Sequence, residues 1–371
     1  MPILESLDKI DWASLSHAYG SAEDVPGLIR QRASTNPKEA EEAEGGLFGT
    51  IWHQGTVYEA TAYAVPFLVE LIERQMTHSR EGLVLLLASI SEGSSYLEVH
   101  KSHSHFASQD QDEIEAKLIK ELEWKTRARD AVQRYAESYW TLLDDSSQRT
   151  TIPYLLSKLP AEAEHVRDRF PDRIATANDA LFLASLLLGL AIASRTAPDA
   201  FARFTSFIHH DTPVVRLGAA LGVLITGSST SWVDKALDIY FEAFRHRETY
   251  GPSDHTWFWG VGDVDALLRN SIPLFVPSAV RALSGVLAIE LPKLDEYDAS
   301  SLAAESLHLC FDPAHLPRTK GELNDLQRSL LIALSRWTNV LYSDPLICGI
   351  QTALGLSREM RDLKAFMERS Q

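Results

Sequence analysis

Cysteine is almost missing from this sequence. Cys310 and Cys348 are the only two in 371 residues, and both sit among apolar neighbours, where a small buried side chain is the usual occupant. That excludes a disulfide framework and a cysteine-based zinc site. Basic residues are also in short supply: 35 Lys and Arg against 51 Asp and Glu leave a net charge of -16. The mean surface potential therefore repels phosphate backbones, and no Lys/Arg-rich run with interleaved aromatics offers a local exception, so nucleic acid is not an expected partner. The most apolar stretch, Ala180 to Ala193, falls short of the roughly 20 residues a membrane helix requires. The opening MPILESLDKIDW lacks the charged-then-apolar pattern of a secretory signal. These absences lead us to expect a cytoplasmic protein with no membrane partner, in which Ala180–Ala193 is a buried helix.

Familiar catalytic signatures are missing as well. The sequence holds no G-x-S-x-G elbow, no Walker A loop, no complete G-x-G-x-x-G and no H-E-x-x-H. Asp144 and Asp145 are followed by Ser-Ser-Gln rather than by further carboxylates, so they do not make an aspartate-rich magnesium motif. No cofactor is expected.

What is present is a chain able to bury a core, since 45% of its residues are hydrophobic and 23% charged. Apolar residues recur at three- and four-residue spacing, and sustained period-two alternation is hard to find. Val65, Leu68, Val69 and Ile72 form one such stripe; Ile114, Leu118, Leu122 and Trp124 begin another. Pro26, Pro66, Pro153, Pro213 and Pro277 each open an apolar segment, which suits proline's tolerance in the first turn of a helix. The expectation is an all-α protein of short helices joined by tight turns.

The segment DTPVVRLGAALGVLI, Asp211 to Ile225, narrows this further. Asp211 is placed to cap the helix, Pro213 suits its first turn, Val215, Ala219 and Leu224 supply a buried face, and Arg216 lies within reach of an Asp on a neighbouring turn. This pattern resembles the second helix of a HEAT repeat, in which Asp and Arg ladder between repeats. A weaker copy occurs at Asn36, Pro37 and Ala43, with Ala40 in place of the Arg. The runs IWHQGTVYEATAYAVPFLVEL from Ile51 and HAYGSAEDVPGLI from His17 resemble segments of bacterial, especially actinobacterial, HEAT-repeat proteins. EGSSYLEVH after Ser91, WFWGVGDVDALL after Thr256 and LNDLQRSLLIAL after Glu322 extend the resemblance over nearly the whole chain. Ala40 and a His-rich insertion after His100 depart from it, and the His-Glu dipeptides that HEAT-like di-iron hydroxylases use as ligands are absent. The resemblance implies an irregular HEAT-like α-solenoid of antiparallel helix pairs spanning residues 1–371, and little about activity. A sub-boundary is expected near 144–151.

Two clusters carry usable chemistry. The first is Trp52, His53, Gln54, Tyr58 and Glu59, where Gly55 permits a tight turn that brings imidazole, amide, phenol and carboxylate together. His53, Tyr58 and Glu59 are the acid–base candidates there, Trp52 and Gln54 the ligand-binding ones; the alternative is that these groups satisfy buried amides and cap a helix starting near Glu59. The second lies in YGPSDHTWFWGVGDVD, with Asp254 and His255 as acid–base candidates and Trp257, Trp259 and Asp263 as ligand-binding ones. Its alternative is that Trp257 and Trp259 plug an inter-repeat gap while Asp263 caps a helix. His100, His103 and His105 lack a completing carboxylate or Cys, so no metal site is expected. The sequence thus favours a binding or scaffold protein whose concave face holds a protein or peptide partner, a basic one given the charge. The alternative is a cofactor-independent isomerase, cyclase or hydrolase acting on a small apolar molecule in the groove.

Overall fold

A computed structural model describes residues 3–77, 79–100, 110–145, 151–197, 200–227, 230–250, 267–268, 271–290, 306–307, 309–312, 314–335 and 345–369. The described chain is mostly helical and forms two compact units, Met1–Thr176 and Ala177–Gln371. Among the described residues no helix is long and apolar enough to cross a membrane.

The first unit opens with a 3-10 helix, Ile3–Lys9, and then a hairpin of β1 (Ser16–His17) and β2 (Gly20–Ser21). Helices α1 (Val25–Arg32) and α2 (Pro37–Thr50) lead to a second hairpin, β3 (Trp52–His53) with β4 (Thr56–Val57). Helices α3 (Thr61–Glu73), α4 (Glu81–Glu92), α5 (Tyr96–His100), α6 (Gln111–Gln133), α7 (Ala136–Leu142), α8 (Ile152–Ser157) and α9 (Ala163–Thr176) complete it. The two hairpins were not foreseen. Strands of two residues are too short to show alternation, so the spacing that reveals helices passes over them.

Prolines mark most helix starts as expected: Pro26, Pro153 and Pro213 stand in first turns, and Pro277 opens Pro277–Glu290. Pro66 does not. It lies inside α3, because that helix already begins at Thr61, whose hydroxyl accepts from Tyr58 N at 2.9 Å and donates to Ile51 O at 2.5 Å. The proline ring carries no N–H for the carbonyl of Ala62, so α3 lacks one rung there. Asn36 caps α2 by accepting from Lys38 N at 3.1 Å. Arg32 is buried and ties α1 to α2 through Glu44 at 2.5 Å, while its guanidinium also meets Thr77 and Ser79.

The second unit is built around α10 (Ala180–Ala193), the expected buried helix, which Asp179 caps by accepting from Phe182 N at 2.7 Å. After the short α11 (Ala202–Thr205), helix α12 (Pro213–Thr226) packs against α10 so closely that a Cβ on Gly218 would lie 2.9 Å from Ala184 O. Helix α13 (Thr230–Arg245) follows α12 after the short connection 227–229 and packs against it. Val215, Ala219 and Leu224 are all fully buried on α12. The HEAT-like ladder, however, is not formed by Arg216. Its guanidinium turns back onto the carbonyls of His210 and Asp211, each at 3.0 Å, and lies 6.0 Å from the Tyr250 ring centroid. Thr212 is the N-cap, without a side-chain bond, so the Asp211 carboxylate does not cap the helix. Both cysteines are free.

Candidate functional site

The second hairpin gathers the first predicted cluster. Trp52 pairs with Val57 and His53 with Thr56, leaving Gln54 and Gly55 as a two-residue turn at φ 49° and 90°. Positive φ at both central positions is the turn that matches strand twist, and glycine at the second satisfies it at no steric cost. Gln54 is exposed at the tip. The hairpin is pinned from behind: Ser94 N donates to Gly55 O at 2.8 Å and Val57 N to Ser94 O at 2.9 Å.

Within this frame most of the expected acid–base groups are already engaged. The Thr56 hydroxyl donates to His53 O at 2.8 Å, which leaves Tyr58 to donate its phenol proton to Thr56 at 2.7 Å. Burial raises the Tyr58 pKa; the Thr56 bond opposes this, and the fields of Tyr96, Glu121 and Tyr19 add to the rise. Tyr58 is therefore a neutral phenol near pH 7. Glu59 accepts from Ser16 Oγ at 3.2 Å and does not cap the following helix, whose N-cap is Ala60. Trp52 packs edge-on against Phe48, centroids 5.8 Å apart, and its indole N–H is buried with no hydrogen-bond partner among the described residues.

His53 meets a residue the sequence reading did not single out. Tyr19, at the turn of the first hairpin, is 71% exposed, and its ring lies edge-on to His53 with centroids 5.3 Å apart. Its hydroxyl is 3.4 Å from His53 Nδ1, at the outer limit of a hydrogen bond. Tyr19 is held in turn by His17. The buried His17 ring accepts from Tyr19 N through Nδ1 at 3.0 Å, which puts its proton on Nε2, 2.9 Å from Asp24 Oδ1. Both ring nitrogens of His17 are thus spent on architecture.

A third edge is formed by α5. Ser95 and Glu98 make a reciprocal cap, with Glu98 N donating to Ser95 Oγ at 3.0 Å and Ser95 N to Glu98 Oε2 at 3.2 Å. Buried Glu121 on α6 accepts from Leu97 N at 2.7 Å. Tyr96 and His100 stack at 4.3 Å on this short helix. Val99 on α5 and Ile119 and Leu122 on α6 are exposed, although Ile114 and Leu118 of the same stripe are buried with Leu97. Leu122 therefore belongs to the surface and not to the core face the spacing suggested. The Ser95 to Glu98 cap was legible as S-x-x-E in EGSSYLE; nothing local signalled the meeting of Tyr19 with His53.

The second predicted cluster, Asp254, His255, Trp257, Trp259 and Asp263, lies outside the described residues, as do His103 and His105. Among the described residues no three His, Cys, Asp or Glu side chains are grouped so as to hold a metal ion.

Comparison with protein-family models, with curated proteins and with solved structures gives no match to this chain.

Proposed function

We propose that this chain is a binding protein of the irregular HEAT-like solenoid kind, holding a protein or peptide partner, and that the two hairpins with α5 form part of its contact surface. The observation that carries this reading is the contrast between spent and offered groups. Tyr58, Glu59 and His17 use their polar atoms inside the frame, while Tyr19, Tyr96, Val99 and Ile119 are presented to solvent from a hydrogen-bonded scaffold. Rigid aromatic side chains with a polar tip are the residues that gain most from burial against a partner. The successive packing of α12 on α10 and of α13 on α12 supports the solenoid assignment. The net charge of -16 favours a basic partner, because complementary charge speeds encounter and selects among partners.

The test is capture of partners by the wild-type chain and by a Tyr19→Ser/Ile119→Ser variant, with circular dichroism confirming that both are folded. The expected result is a basic protein or peptide retained by the wild type, released by added salt, and lost by the variant. Equal recovery by both chains would remove the hairpin surface from the reading. An enzymatic role would gain instead if the wild type retained nothing and His53→Ala, still folded, abolished turnover of a small apolar substrate.

A further inference from the structure

Away from the hairpins, the first unit contains a cleft of about 500 Å3 where α3, α6 and the chain just after the first 3-10 helix meet. Its apolar walls come from Ile10, Ala62, Pro66, Phe67 and Ala131. Two of these are alanines, one from α3 and one from α6, and their small side chains leave space open. The volume falls in the range of roughly 300–1,000 Å3 that small-molecule sites occupy. Tyr63, itself 39% exposed, stands at the mouth.

The mouth is charged on one side only. Arg127 and Asp130 line it from α6 and Arg134 from that helix's C-cap, and their spacing of three and four residues sets them on one side. Among the described residues Arg127 has one loose ion-pair partner, Glu123 at 3.7 Å, and no carboxylate lies within ion-pair distance of the Arg134 guanidinium. With Glu123 beside Arg127, the guanidinium at this rim with no described carboxylate in ion-pair distance is that of Arg134. Elsewhere in this unit Arg32, Arg80 and Arg173 pair with Glu44, Asp145 and Asp144, while Arg129 donates to Ser91 O and Arg169 lies over the Trp140 ring. An arginine left unpaired beside an apolar cavity has the fork geometry to bind a carboxylate in two places.

We propose that this cleft binds a small apolar carboxylate, with its alkyl or aryl body between α3 and α6 and its carboxylate on Arg134, assisted by Arg127. This site is separate from the hairpin surface, and its occupancy does not depend on the protein-binding reading. The probe is decanoate, titrated below its aggregation threshold into the full chain by calorimetry. Decylammonium and decanol serve as charge controls. The emission of Trp12, whose ring lies 6.3 Å from Phe67 on the cleft wall, provides a second readout once a Trp12→Phe variant has been subtracted.

The expected result is saturable one-to-one binding of decanoate, at least about tenfold weaker binding of the two controls, and a loss of about tenfold or more in Arg134→Gln. Ala62→Trp, which fills the cleft, should abolish binding with an unchanged far-ultraviolet spectrum. If that variant misfolds, the surface change Arg134→Gln still decides the matter. Absence of saturable binding, equal binding of decylammonium, or unchanged affinity in Arg134→Gln would each overturn the proposal.

Discussion

At the scale of single residues, the first unit depends on a few buried polar groups whose partners are fixed, and Glu162 is the clearest of them. Its carboxylate accepts from Trp140 Nε1 at 2.8 Å, from Gln133 Nε2 at 3.0 Å and from His165 Nδ1 at 3.0 Å. Burial pushes its pKa up, but the bonds from Trp140, His165 and Gln133 more than offset this, so the folded value lies below the ordinary one. A depressed folded pKa gives stability that is fully present above the unfolded value of about 4.3 and is lost as pH falls through the folded value. Glu162→Gln keeps the shape but cannot ionise. Chemical denaturation of both chains between pH 7 and pH 3 should therefore show the wild type more stable at pH 7, by about 1–3 kcal/mol for a group bonded to several buried donors. The gap should narrow as pH falls below about 4. A gap that stays constant across the range would mean that the carboxylate charge contributes nothing to this node.

At the scale of elements, helices are set by local pattern and their contacts by single residues that pattern does not reveal. Gly218 and Gly285 are both helical glycines, and intrinsic propensity alone predicts that alanine at either should stabilise by up to about 1 kcal/mol. The structure separates them. A Cβ at Gly285 meets nothing within 4 Å, whereas at Gly218 it would lie 2.9 Å from Ala184 O and 3.0 Å from its Cα, both main-chain atoms of α10. Gly285→Ala should raise the denaturation midpoint, and Gly218→Ala should lower stability by about 1–3 kcal/mol through overpacking. Similar shifts in the two variants would show that α10 and α12 do not approach this closely. The same division explains what could be read from the sequence. The buried helix Ala180–Ala193, the caps at Asn36 and the turn at Gly55 all follow from neighbours within a few positions. The Tyr19 and His53 contact joins residues 34 apart, the two-residue strands carry no periodicity, and Arg216 donates to the carbonyls of His210 and Asp211, which no side-chain pattern reveals. Pro66 was misplaced because proline's preference for a first turn is strong but does not forbid an interior position.

At the scale of the whole molecule, the division of the chain at Thr176 and Ala177 falls beyond the 144–151 stretch expected to hold a sub-boundary. The packing of α8 and α9 gives this division its physical meaning. Ile152, Leu155 and Leu156 of α8 are fully buried, and α8 packs on both α4 and α7. From the α9 side, Val166 and Phe170 are also fully buried, the Phe170 ring lies 5.8 Å from that of Trp140, and Arg173 reaches Asp144 at 2.5 Å. Each of these apolar side chains is worth about 1.5–3 kcal/mol of burial, so together they rival the roughly 5–15 kcal/mol net stability of an ordinary domain. A fragment of residues 1–176 should therefore give a strongly helical spectrum and one cooperative melt. A fragment of residues 1–150 keeps Trp140 but lacks Glu162 and both helices, and it should melt without cooperativity or fail to fold. The two fragments, compared by circular dichroism and by the sharpness of their melts, distinguish the alternatives directly. If residues 1–150 melt as cooperatively as residues 1–176, the helices α8 and α9 are not part of the first unit's core, and the boundary belongs near 144–151.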